Sequence, residues 1–206
     1  LSLAEGEARA RPGRPSSGAR ERILEACLET LKESGLAGLS IAKVADRAGE
    51  SKALISYHFG SKDGLISAAA ADIGREITAE ILGGLEGATS IEEVITGSAA
   101  GLWQLLDHDE RMARVYFDLN AVSVVDPGVR ESLRAVKDGW RSVLAELLRN
   151  AGFAGLEDDL DVACTLIVAG LEGLCLERIE RGPTSQLERA RDLFISSTAA
   201  AIDPAG

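Results

Sequence analysis

Apolar residues recur every three or four positions along nearly the whole chain beyond residue 20, and no stretch combines strict alternation with β-branched and aromatic enrichment. That pattern assigns the chain to the all-α class. Ser40, Ser51 and Ser61 stand before apolar runs as N-caps, and Gly35, Gly49 and Gly60 stand where helices stop. Pro127 and Pro183 sit at helix starts, where a missing N–H costs nothing. The reading gives about nine helices. Three are short: one ending at Ser34-Gly35, one over 41–48 and one over 51–59. Six longer ones follow near 61–83, 90–107, 110–122, 127–151, 157–181 and 184–201.

Hydrophobic residues make up 46% of the 206 positions and charged residues 27%, enough apolar material for a real core, which excludes wholesale disorder. No window approaches eighteen uninterrupted apolar residues, so no membrane span is expected. The opening LSLAEGEARA lacks the apolar stretch of a secretory signal. Cys27, Cys164 and Cys175 fit neither a disulfide framework nor a four-ligand metal knot. The simplest compartment is the reducing cytoplasm.

The net charge of −11 at first argues against nucleic acid, but it is unevenly spread. Residues 1–64 hold ten Lys/Arg against nine Asp/Glu, so the net negative charge lies entirely in the remainder. Between residues 9 and 22, five arginines (Arg9, Arg11, Arg14, Arg20, Arg22) face only Glu21. A basic end on an acidic body can still approach phosphates, because local charge decides.

Residues 36–65, LAGLSIAKVADRAGESKALISYHFGSKDGL, carry the most information. Two short helices flank a turn at Gly49-Glu50, which is helix-turn-helix spacing. The second is too short to stand on its own hydrogen bonds, so packing through Ile55 and Phe59 must hold it. Lys52, Ala53, Ser56 and Tyr57 then face outward, as a helix laid into a major groove requires. Spacing alone equally allows an ordinary helical hairpin.

The same segment resembles the DNA-binding domain of the TetR (tetracycline-repressor) family of transcriptional regulators. The resemblance rests on Ser40, Val44-Ala45, Ala48-Gly49-Glu50-Ser51, Tyr57-His58-Phe59 and Ser61-Lys62-Asp63-Gly64-Leu65, in register over residues 20–66. It implies a flexible basic arm at 1–19, a three-helix DNA-binding module at 20–66, and a six-helix ligand-binding and dimerisation domain at 67–206. Ser40 and Ser51 would cap helices and offer hydroxyls to phosphate. Tyr57 and His58 would brace the DNA backbone, and Lys62 would reach phosphate from a helix N-terminus. Lys52, Ala53, Leu54 and Ser56 would lie nearest the base edges. Three positions depart from the family pattern. Ala53 stands where Gly is frequent, Ser56 where Tyr is frequent, and Glu50 where the turn is usually apolar. A half-buried Glu50 with no partner would make Glu50→Val stabilising by roughly 1 kcal/mol. In the arm, Arg11 and Arg14 of RPGRP suit a narrow A·T minor groove, or simply form a solvated basic tail.

The resemblance also implies a small-molecule pocket in the body. Candidate wall residues are Trp103, Tyr116, Phe117, Asn120 and Trp140, though aromatics at helical spacing are as readily plain core. Ala163, Ile167, Gly170 and Leu174 share one line of a helix. With Leu193, Ile195 and Thr198 they suit a symmetric four-helix dimer interface. His108 among Asp107, Asp109 and Glu110 reads as a solvated acidic loop, so no metal and no cofactor are expected. With two histidines, one inside the DNA-binding motif, and no phosphate loop after a strand, an enzyme is disfavoured. The expected protein is a homodimeric repressor of a palindromic operator, released by a small, mainly apolar effector. The rival is a constitutive or architectural DNA-binding protein.

Overall fold

A computed structural model describes residues 18–85 and 87–202. These form eight helices: α1 Ala19–Gly38, α2 Ile41–Ala48, α3 Lys52–Phe59, α4 Lys62–Gly83, α5 Ile91–Ser123, α6 Pro127–Asn150, α7 Glu157–Arg181 and α8 Ser185–Ile202. Side-chain oxygens satisfy the orphan N–H groups at the starts. Ser40 Oγ accepts from Lys43 N at 3.2 Å, Ser51 Oγ from Leu54 N at 3.1 Å, and Ser61 Oγ from Gly64 N at 3.0 Å. Ser90 and Glu93 form a reciprocal capping box on α5. Asp126 Oδ1 holds the first turn of α6, with Pro127 at its first position.

The count differs from nine at one place. The helices expected at 90–107 and 110–122 are the two halves of α5, which breaks at Asp109 (φ −147°, ψ 73°). No Gly or Pro stands between Leu105 and Met112 to end the helix, so it resumes directly. Asp109 is fixed from outside, where Lys32 of α1 lies 3.0 Å from its carboxylate. The Lys32 ammonium and Arg111 hold that carboxyl below its usual range. In the same way α1 breaks at the expected stop, where Gly35 is non-helical (φ 61°, ψ −175°), and resumes to Gly38.

Two large apolar clusters organise the chain. One joins α1–α3 and the first turns of α4 (Ile23, Leu31, Val44, Ile55, Leu65, Ile66) to α5 and α6 through Leu119, Val129 and Leu133. The other joins the starts of α5 and α7 to α6 and α8 through Ile95, Leu148, Leu160 and Ile167. Helix α4 crosses α5 on glycines. A Cβ added at Gly101 would lie 2.6 Å from the Glu80 carbonyl oxygen, and one at Gly97 would lie 2.4 Å from that of Gly84. The three cysteines are buried thiols, with Cys27 and Cys175 pushed up to about 12 and Cys164 to about 11 by loss of solvent. Among the described residues no helix is long and apolar enough to cross a membrane.

Candidate nucleic-acid interface and effector cavity

Helix α3 is held as its packing requires: Ile55 is 1% exposed, and Phe59 packs on the same cluster with the Arg20 guanidinium 5.3 Å from its ring. This leaves Lys52, Ala53, Ser56 and Tyr57 exposed, Tyr57 to 73%. Leu54 departs from that face. It is half buried and packs against the core, because α3 has only eight residues and the cluster reaches beyond the Ile55–Phe59 line. His58 is half buried edge-on between the Tyr57 and Phe59 rings, with its Nε2 unpaired. Lys62 is exposed on the first turn of α4. Arg11 and Arg14 lie outside the described residues.

Glu50 has a partner that the sequence did not disclose. Arg22 Nη2 donates to its Oε1 at 2.5 Å, pinning the turn to α1. The expected sign therefore reverses: Glu50→Val should lower the unfolding midpoint, by less than about 1 kcal/mol because Arg22 is half exposed. A thermal melt of the variant checks this, and a raised midpoint would show the pair to be idle.

A second site opens between α4, α5, α6 and α7: a cavity of about 80 Å³. Its wall is almost wholly aliphatic and aromatic, as small-molecule sites are. Tyr116, Phe117 and Trp140 line it. Among the described residues, Glu172 is the one charged residue on the wall. It accepts from the Tyr116 hydroxyl and from Lys137 Nζ, 2.9 Å away. Burial and the Glu172 charge drive the Tyr116 phenol well above its usual range. Trp140 Nε1 donates to Thr78 Oγ1 at 2.8 Å.

Two expected wall residues lie elsewhere. Trp103 is not on the wall but buried behind it, against the wall residues Leu106, Ala113 and Cys175. Its indole N–H donates to Glu188 at 2.9 Å, and the Arg178 and Arg191 guanidiniums sit over its ring. It fastens α8 to α5. Asn120 donates its amide to the Tyr116 carbonyl one turn back, and is not on the wall. Sequence reading missed Thr78, Ser98 and Glu172. Glu172 had a signal, being the one charged residue between Val162 and Leu176. The acids around His108 are spent on cations: Asp107 on Arg178, Asp109 on Lys32, Glu110 on Arg114.

The residues expected at a dimer interface divide. Ala163, Ile167, Ile195 and Thr198 are buried within the chain. Gly170 is small for an internal reason, since a Cβ there would lie 2.3 Å from the Phe194 ring of α8. Leu174 packs on the Trp103 cluster. Only Leu193 is exposed, to 68%, and the outward apolar residues of α7 are Val162, Leu166 and Leu176 instead.

Residues 23–69 match the bacterial regulatory proteins of the tetR family, and residues 97–203 match the C-terminal family of BetI-type transcriptional repressors. The chain is 28% identical to the HTH-type transcriptional regulator BetI 1 of Chromohalobacter salexigens, over 84% of this chain and 85% of that protein. It is 28% identical to the HTH-type transcriptional repressor AcnR of Corynebacterium diphtheriae, over 86% and 90% respectively. A transcriptional regulator from Rhodococcus sp. Rha1 has the same fold, with a TM-score of 0.74 at 25% identity, covering 91% of this chain and 99% of that one.

Proposed function

We propose a function from one premise: this chain belongs to the TetR family of bacterial transcriptional regulators. It is a transcriptional repressor, not an enzyme, with an N-terminal DNA-binding domain and a C-terminal ligand-binding domain. The finer reading is a homodimer on a near-palindromic operator, released when a small, mainly apolar effector fills the α4–α7 cavity. The observation that carries it is the course of α4. The helix starts at Lys62 beside the DNA-facing helix, and Ile77, Thr78 and Ile81 of its last turns line the cavity wall. An occupant that displaces those turns tilts the whole helix, and the two recognition helices lose their one-turn spacing. The Asp109 break adds a second link. Leu105 and Leu106 before it and Ala113 after it line the cavity, while Asp109 itself is tied to Lys32 of α1.

The second copy docks on the exposed face of α7 and α8. Val162, Leu166, Leu176 and Leu193 leave an apolar surface there that a four-helix contact would bury. Lys52, Ala53 and Ser56 meet base edges, and Ser40, Ser51, Tyr57, His58 and Lys62 meet the phosphate backbone. For Arg11 and Arg14 the minor-groove role rests on the sequence alone.

The test uses the two indoles. A compound screen is scored for release of bound DNA and for tryptophan emission. Trp140 lines the cavity and Trp103 does not. A true effector should therefore change emission over the range in which it releases DNA, in the parent and in Trp103→Phe but not in Trp140→Phe. DNA should weaken the effector by the factor by which the effector weakens DNA. A broad screen in which no compound displaces DNA would instead favour a constitutive DNA-binding protein.

A further inference from the structure

Residues 18–64 hold seven lysines and arginines, and four of them are spent inside the chain. Arg22 pairs with Glu50, Lys32 with Glu29 and Asp109, and Arg47 with Glu33. Lys43 donates to the Gly38 carbonyl at 2.9 Å and closes the end of α1. Three cations remain. Lys52, Lys62 and Arg20 are exposed and donate to no carboxylate or carbonyl among the described residues. Lys52 and Lys62 stand at the starts of α3 and α4, and Arg20 stands in the first turn of α1.

Arg20 is exposed, yet it is held. Its guanidinium lies 5.3 Å from the centroid of the Phe59 ring, at the last residue of α3. Phe59 meets His58 edge-on at 6.3 Å, and His58 meets Tyr57 edge-on at 5.1 Å. Arg20, Phe59, His58 and Tyr57 thus form one line of contacts from α1 to the exposed end of α3, and Lys62 follows Phe59 by three residues. The contact fixes where the guanidinium sits, and none of its five N–H groups meets an oxygen acceptor among the described residues. A planar fork so held can make two parallel bonds to one phosphate and loses little side-chain freedom in doing so.

We propose that Arg20 is a further DNA contact, a phosphate clamp reached from α1, with Phe59 as the residue that positions it. Arg20 from α1 and Lys62 from α4 then hold the DNA backbone together at the C-terminal end of α3. Behind Arg20, the groove between α1 and α4 carries Glu21, Glu25, Asp72 and Glu76, which repel phosphate, so contact with α1 ends at its first turn. The clamp rests on the docking mode given above.

The test is fluorescence anisotropy on a fragment that the full chain selects from a random library, at several salt concentrations, with a thermal melt of each variant. Arg20→Ala should weaken specific and random DNA alike by about tenfold and flatten the slope of log affinity against log salt by about one unit. Arg20→Lys keeps the charge, so the slope should stay, but it loses the fork, and affinity should fall about threefold. Phe59→Leu keeps an apolar side chain in the cluster and removes the ring, and should also cost about threefold at an unchanged slope. All titrations are run below the lowest melting midpoint, so a destabilised variant still reports its slope. Parent-like affinity and slope in Arg20→Ala, with Lys62→Ala weakened, would overturn the clamp and leave the docking mode standing. Parent-like binding by both would overturn the docking mode and the clamp with it. A loss in Arg20→Ala with an unchanged slope and a lowered melt would make Arg20 a brace for α3 and overturn the clamp as well.

Discussion

Tyr57→Ala and Lys62→Ala are each expected to weaken DNA binding about tenfold, and together roughly a hundredfold, with equal loss on specific and random DNA. Both side chains are exposed, and neither belongs to the apolar cluster that holds α3. Removing them therefore subtracts contacts to the phosphate backbone without loosening the helix. A backbone contact carries no sequence information, so specificity should be preserved while affinity falls. Loss of the Lys62 charge should also flatten the slope of log affinity against log salt by about one unit, since one fewer counterion is released. The measurement is fluorescence anisotropy on a fragment that the protein selects from a random library, at several salt concentrations, with a thermal melt of each variant. Parent-like binding by both variants at moderate salt would refute the docking mode.

Gly101→Ala should cost about 3 kcal/mol of stability, whereas Gly139→Ala should add about 0.5–1 kcal/mol. The substitution is the same and both sites lie inside helices, so the opposite signs isolate the packing. At Gly101 the new methyl would meet backbone: the Glu80 carbonyl oxygen at 2.6 Å and the Ile81 Cα at 2.7 Å. Backbone cannot rotate away, so α4 and α5 must separate. At exposed Gly139 nothing lies within 4 Å, and the change only removes conformational freedom from the unfolded chain. Denaturant unfolding of the two variants measures both. Because Ile81 and Leu102 line the cavity beside this crossing, Gly101→Ala should also weaken any ligand. Equal stability of the two variants would mean that the helices crossing there yield freely.

The sequence by itself determined the helices and their starts. Each depends on residues within a turn or two: Ser40 on the N–H of Lys43, Ser51 on that of Leu54, Gly49 on its own left-handed backbone. It also determined which side of α3 faces out, because Ile55 and Phe59 leave an eight-residue helix few ways to bury itself. The family was legible for the same reason, since its motif is local. The tertiary structure alone decided what each buried face meets. Trp103 and Trp140 look alike in the sequence, yet one fastens α8 and the other walls a cavity, according to partners at Glu188 and Thr78. Ala163, Ile167 and Ile195 were rightly apolar, but helical spacing says only that a face is buried, not whether this chain or a second copy covers it. Glu50 and Glu172 owe their settings to Arg22 and to Tyr116 and Lys137, 28 to 56 residues away along the chain. Periodicity reports the phase of a helix about its own axis. How helices dock on one another is set by side chains that meet only after the chain has folded.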